Sequence, residues 1–119
     1  MKLSIIIPCY NEKPHLFALI QRVMEAPVED KEIILVDDGS SDGTTELIRG
    51  NLEKKVAKTI YHSRNMGKGA AIRSGLRHVT GEMVVIQDAD LEYDPMDLGS
   101  QKRKRGIKIK KAWSFAGNP

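Results

Sequence analysis

Short runs of consecutive apolar residues alternate along this chain with stretches in which apolar residues recur every three or four positions. Leu3-Ser4-Ile5-Ile6-Ile7 is brief, rich in β-branched residues and closed by Pro8, so it predicts a buried strand. Leu16, Leu19, Ile20, Val23 and Met24 then mark one face of an amphipathic helix, with Asn11 as a cap, Pro14 in the first turn and Ala26-Pro27 as its stop. Ile33-Ile34-Leu35-Val36 predicts a second strand that runs into Asp37-Asp38-Gly39-Ser40-Ser41-Asp42-Gly43-Thr44, a loop dense in turn residues. Leu47, Ile48 and Leu52 predict a shorter second helix, and Val56 to His62 a third strand that is less apolar and so nearer an edge. Ile72, Gly75, Leu76 and Val79 share one face of a third helix that starts near Met66-Gly67-Lys68-Gly69 and stops at Gly81. The last apolar run, Met83 to Gln87, predicts a fourth strand.

Strand and helix in strict alternation predict an α/β domain with a mostly parallel, Rossmann-like sheet and helices on both faces. In such sheets ligands bind outside the carboxyl ends of the strands. Those ends carry Tyr10-Asn11-Glu12, Asp37-Asp38 and Asp88-Ala89-Asp90, so three polar clusters are expected around one crevice.

Asp88 and Asp90 are the most informative of these. Residues i and i+2 on an extended chain point the same way, so the two carboxylates can seat one hard cation. Mg2+ and Mn2+ favour that arrangement, taking one or two carboxylates together with substrate phosphates and water. Two adjacent acids at the end of a buried strand repel each other, which points to a ligand for Asp38, while Asp37 stands open between ligand and loop cap. Asp42 reads as a cap. Arg64, Lys68 and the glycines around them sit at a helix start, where backbone N–H groups favour phosphate, although the spacing is not that of a Walker A loop. Cys9 reads as a small buried hydrophobe, and His15, His62 and His78, which lack metal-ligand spacing, read as surface or satisfied residues. No Gly-x-Ser-x-Gly elbow supports a hydrolytic serine.

At 119 residues and 13.3 kDa the chain is long enough for one domain. A single cysteine excludes an internal disulfide and makes a reducing, cytoplasmic setting the default. No apolar run is long enough for a signal peptide or a membrane span. The net charge of +3 hides a split, because residues 1–98 carry −4 and residues 99–119 carry +7 with no acid among them. The expected organisation is therefore a folded part at 1–98 and a basic, flexible tail at 99–119. No nucleic-acid partner is expected of that tail, since a solvated basic segment is the commoner case.

Ile7-Pro8-Cys9-Tyr10-Asn11-Glu12, Val36 to Thr44, Asn65-Met66-Gly67-Lys68-Gly69 and Asp88 to Pro95 together resemble the GT-A family 2 glycosyltransferases. The pattern is most similar to the dolichyl-phosphate mannose synthase-like branch. The resemblance implies transfer of a sugar from a nucleotide-diphosphate donor, GDP-mannose or a UDP-sugar, to an acceptor such as a polyprenyl phosphate at a membrane surface. It implies donor contacts from Pro8, Tyr10, Glu12, Val36, Asp38, Lys68, Asp88, Ala89 and Asp90, with Arg64 near phosphate. It also implies Mg2+ or Mn2+ held by Asp88, Asp90 and Glu92. The family pattern is lost after Pro95, where an acceptor half is expected and no catalytic residue is identified. The alternative reading is a truncated, non-catalytic nucleotide-sugar-binding remnant. A sugar-nucleotide pyrophosphorylase would show a glycine-rich basic loop directly after the first strand, and Pro8 to Glu12 is not one.

Overall fold

The computed structural model describes residues 1–89 and the backbone of Ala112–Ser114. Its elements in order are β1 (Leu3–Cys9), α1 (Lys13–Glu25), β2 (Lys31–Asp37), α2 (Thr44–Leu47), β3 (Lys58–Tyr61), α3 (Lys68–Leu76), β4 (Met83–Ile86) and β5 (Ala112–Ser114). The strands form one sheet in the order β3-β2-β1-β4-β5, parallel throughout except for β5, which runs antiparallel to β4. The expected mostly parallel sheet is therefore present, with β3 at one edge. Three residues from the segment expected to be a flexible basic tail form the strand at the other edge.

β1 and β2 are near-continuous apolar runs because both of their faces are covered. Ile5, Ile7, Ile33 and Leu35 point to one face and pack with Leu16, Leu19, Ile20 and Val23 of α1. Ile6, Ile34 and Val36 point to the other and pack with Ala71 of α3, Val84 and Ile86. The period of two in the strands thus sorts one apolar run into two cores. Gly75 allows α3 to lie close on β1, since a Cβ there would stand 2.8 Å from Ile6 Cγ2.

The second helix departs from a regular α-helix. After one α-helical turn, Ile48–Leu52 winds as a π turn and Glu53–Lys55 as a 3-10 turn. Ile48 and Leu52 remain fully buried, so the expected apolar positions hold although the winding changes. Tyr61 of β3 fastens this segment by donating its hydroxyl to Glu53 and stacking under Arg49, whose guanidinium lies 4.6 Å from the ring centre.

At the amino ends of the strands, Glu32 gathers a network. Its carboxylate accepts from Ser4 Oγ, the Thr80 amide and the Thr80 hydroxyl, and pairs with Lys2. Burial pushes this carboxyl up, but the Ser4, Thr80 and Lys2 contacts outweigh it and leave the group below its ordinary range.

Candidate functional site

All three expected clusters converge. Pro8 at the end of β1 with Tyr10 and Glu12 after it, Asp38 after β2, Asn65 and Gly67 before α3 with Lys68 at its start, and Asp88 with Ala89 after β4 line one cleft of about 500 Å3. That volume lies within the range of small-molecule sites, roughly 300–1,000 Å3. The cleft sits at the carboxyl ends of the parallel strands, beside the point where the strand order turns back from β3 to β4.

Hydrogen bonds between the first two strand-end loops set the positions of their residues. Asn11 adopts a φ of 53° and accepts from the Ser41 amide, while its own amide donates to Ser40 Oγ. The Glu12 amide donates to Thr44 Oγ1, and the Lys13 amide to Asp42. Asn11 is thus a loop-to-loop tie rather than the helix cap its place before α1 suggested. Asp42, expected to cap the helix, lies one residue before its N-cap Gly43 and instead accepts from the Thr44 amide and hydroxyl across the turn. Its carboxyl is held low because those bonds and the Lys13 amide outweigh burial, which pushes it up. Asp37 resolves as a loop cap, accepting from the Ser40 amide and the Thr45 hydroxyl.

Asp38 is the most heavily bonded residue of the site. Its carboxylate is 95 % buried and receives His62 Nδ1 at 2.8 Å, the Met66 amide at 2.9 Å, the Gly67 amide at 3.0 Å and Asn65 Nδ2 at 3.2 Å. Two amides at the start of α3, expected to face phosphate, are therefore taken by Asp38. Gly39, at a φ of 72°, lets the Arg64-Asn65 backbone rest on this loop, because a Cβ would lie 2.3 Å from the Arg64 carbonyl carbon. His62, expected to be a surface or satisfied residue, is satisfied by Asp38 and Ser74. Its partners Asp38 and Ser74 lie 24 and 12 positions away, and no local spacing signals such a pairing.

Also in the cleft, the exposed Lys68 ammonium pairs with Asp88. Ala89 is buried and leaves space beside it. Tyr10 stands exposed at the rim. Val36, expected to touch the nucleoside, is not among the cleft residues, because its side chain is fully buried in the core beneath α3. Asp90 and Glu92 lie outside the described residues. Cys9 is buried as expected, and its thiol is pushed well above the usual range, chiefly by burial and then by Asp37 and Glu12.

Asp88 brings to the cleft one carboxylate of the kind a hard cation takes. A carboxylate oxygen at the cleft already faces a positive charge, and Mg2+ or Mn2+ needs only one or two such groups when phosphate oxygens complete the shell. Among the described residues no cluster of three or more His, Cys, Asp or Glu side chains forms a self-sufficient metal site.

Comparison with known proteins agrees with this geometry. The model of "Glycosyl transferase family 2" matches residues 4–104, running past the charge break after residue 98. The chain is 41% identical over 100 residues to an undecaprenyl-phosphate 4-deoxy-4-formamido-L-arabinose transferase of Aeromonas hydrophila, covering 80% of this chain and 31% of that protein. It therefore spans about a third of the length of that curated relative. The mannosyltransferase PcManGT of Pyrobaculum calidifontis, solved with GDP-Man and Mn2+, superposes with a TM-score of 0.67 at 32% identity, over 80% of this chain and 29% of that one. TarS 1-349 of S. aureus, in complex with UDP-GlcNAc, gives a TM-score of 0.66 at 26% identity, over 76% and 27% of the two chains. With its strand order, its cleft and a family match over most of its length, the chain belongs to glycosyl transferase family 2.

Proposed function

We propose that the cleft binds a nucleotide-diphosphate sugar and that the chain is the donor-binding part of a glycosyltransferase. The observation that carries this reading is the pairing of Lys68 with Asp88 in a cleft that Pro8, Tyr10, Glu12 and Asp38 also line. The diphosphate belongs at the Lys68 and Asp88 end, and the nucleoside at the Tyr10 and Asp38 end. Relatives solved with GDP-Man and UDP-GlcNAc support a donor of this class.

Asp88, with Asp90 and Glu92, is the group that would hold Mg2+ or Mn2+ against the diphosphate. When bound, such an ion supplies Lewis-acid stabilisation of the departing nucleotide. Lys68 adds a second positive charge at the place where negative charge builds as the anomeric bond breaks. The small side chain of Ala89 leaves room for the sugar beside that bond. A polyprenyl phosphate is the proposed acceptor, on the strength of the undecaprenyl-phosphate transferase relative. Such an acceptor is already anionic and needs little proton removal, whereas a hydroxyl acceptor would need a general base. The dolichyl-phosphate mannose synthase-like branch remains our proposal within this class.

Calorimetric titration of GDP-mannose and UDP-glucose into the full chain, with Mn2+ and with EDTA, tests the donor site. The expected result is binding that requires Mn2+ and is lost in Asp88→Ala. A folded chain that binds neither nucleotide-sugar in Mn2+ overturns the reading.

A further inference from the structure

We propose that His62 is a positioning residue of the donor site, which fixes the Asp38 carboxylate so that it holds the Asn65-Met66-Gly67 loop and thereby sets where Lys68 stands. The inference deepens the donor-site reading above and rests on it for its functional meaning.

The geometry is a buried relay. His62 Nδ1 lies 2.8 Å from Asp38 Oδ1, and His62 Nε2 lies 2.8 Å from Ser74 Oγ. The two side chains are 9% and 5% exposed, so water does not compete for these bonds. Every other group facing the Asp38 carboxylate is an N–H, from Asn65, Met66 and Gly67, and its oxygens therefore act as acceptors. His62 Nδ1 must then carry hydrogen, and in the neutral ring Nε2 accepts from the Ser74 hydroxyl.

The relay spans three elements. Asp38 follows β2, His62 follows β3, and Ser74 sits within α3. Without His62 the carboxylate keeps Asn65, Met66 and Gly67 as partners but loses one of the two bonds that hold Oδ1 in place. The loop it holds leads directly into Lys68, the cation that pairs with Asp88. One side chain absent from the cleft wall thus links the nucleoside end of the site to its diphosphate end.

The test is amide hydrogen exchange by NMR on the full chain without ligand, comparing wild type with His62→Ala and His62→Asn. Asn places a donor near the position of Nδ1 but cannot reach Ser74. In His62→Ala the Met66 and Gly67 amides should exchange about tenfold faster, the effect of losing one charge-assisted hydrogen bond, while β1 and β2 amides stay unchanged. His62→Asn should restore most of that protection. Unchanged Met66 and Gly67 amides in His62→Ala, or equal acceleration throughout the sheet, would overturn the proposal. Titration of GDP and UDP with Mn2+ supplies the second readout, in which His62→Ala should bind about tenfold more weakly and His62→Asn close to wild type. Full-strength binding by His62→Ala would also overturn it. If wild type binds neither nucleotide, the donor-site reading fails, and the exchange data still decide whether His62 positions the loop.

Discussion

Gly75→Ala sets two known effects against each other. A helix interior gains up to about 1 kcal/mol when Gly becomes Ala, because the unfolded chain loses freedom. The added methyl, however, would lie 2.8 Å from Ile6 Cγ2 and 3.3 Å from both Cγ1 and Cδ1. Ile6 has no exposed surface and sits in a strand paired on both sides, so it has no room to retreat. Forcing a methyl into such a core costs roughly 1–3 kcal/mol. The steric cost should therefore win, with a net loss of about 1 kcal/mol. Gly50 is the control, because nothing lies within 4 Å of a Cβ built there, and Gly50→Ala should stabilise by about 0.5–1 kcal/mol. Urea unfolding of the full chain, followed by circular dichroism, gives both values from midpoints at constant slope. An Ile6→Ala background, itself costing about 2–5 kcal/mol, should convert Gly75→Ala from a loss into a gain. If Gly75→Ala alone raises the midpoint as much as Gly50→Ala does, the close approach of α3 to β1 is wrong.

Other outcomes follow from contacts at the site and beneath it. Lys68→Met should weaken GDP binding in Mn2+ about tenfold, measured calorimetrically, if Lys68 faces the diphosphate. Thr44→Val leaves the Glu12 amide without its acceptor and should cost about 1–3 kcal/mol in urea unfolding. Because the Glu32 carboxyl is held low in the fold, its contribution is complete above the unfolded value and lost as pH falls through the folded one. Glu32→Gln should therefore destabilise at neutral pH and flatten the acid side of the stability profile, as read by thermal melts across pH. Cys9, buried and with its thiol pushed up, should react with a disulfide reagent at pH 8 only as fast as the chain unfolds, and rapid labelling of the native chain would contradict that burial.

Much of the architecture was legible because the strands of a parallel sheet covered on both faces are near-continuous apolar runs. Ile5-Ile6-Ile7, Ile33 to Val36 and Met83 to Ile86 could hardly be anything else. Leu47, Ile48 and Leu52 marked a helical stripe, but their spacing does not distinguish α, π and 3-10 winding, which the packing of Tyr61 against this segment accompanies. The acids at the strand ends were visible as chemistry, and Asp88 and Asp38 do reach the cleft. What could not be read was which polar group bonds which. Asp37 and Asp38 are neighbours in sequence, yet one caps its own loop and the other gathers donors from residues 62–67. Val36 lies two residues before Asp38, yet its side chain is fully buried against Ala71 of α3, which its place at a strand end does not signal. The tie between Asn11 and Ser41 crosses two loops 30 residues apart and leaves no local trace.

The strand order has a kinetic consequence. Lys2 and Glu82, which meet where β1 joins β4, are 80 residues apart, whereas Ser4 and Glu32, which meet where β1 joins β2, are 28 apart. By loop-closure entropy the longer closure costs about 0.9 kcal/mol more. β1, β2 and β3 can thus assemble from near neighbours while β4 docks late, so the part of the cleft lined by Tyr10 and Asp38 should form before Asp88 arrives to complete it. During synthesis the cleft would exist first as a half-site, closed only when the chain around residues 83–89 has left the ribosome.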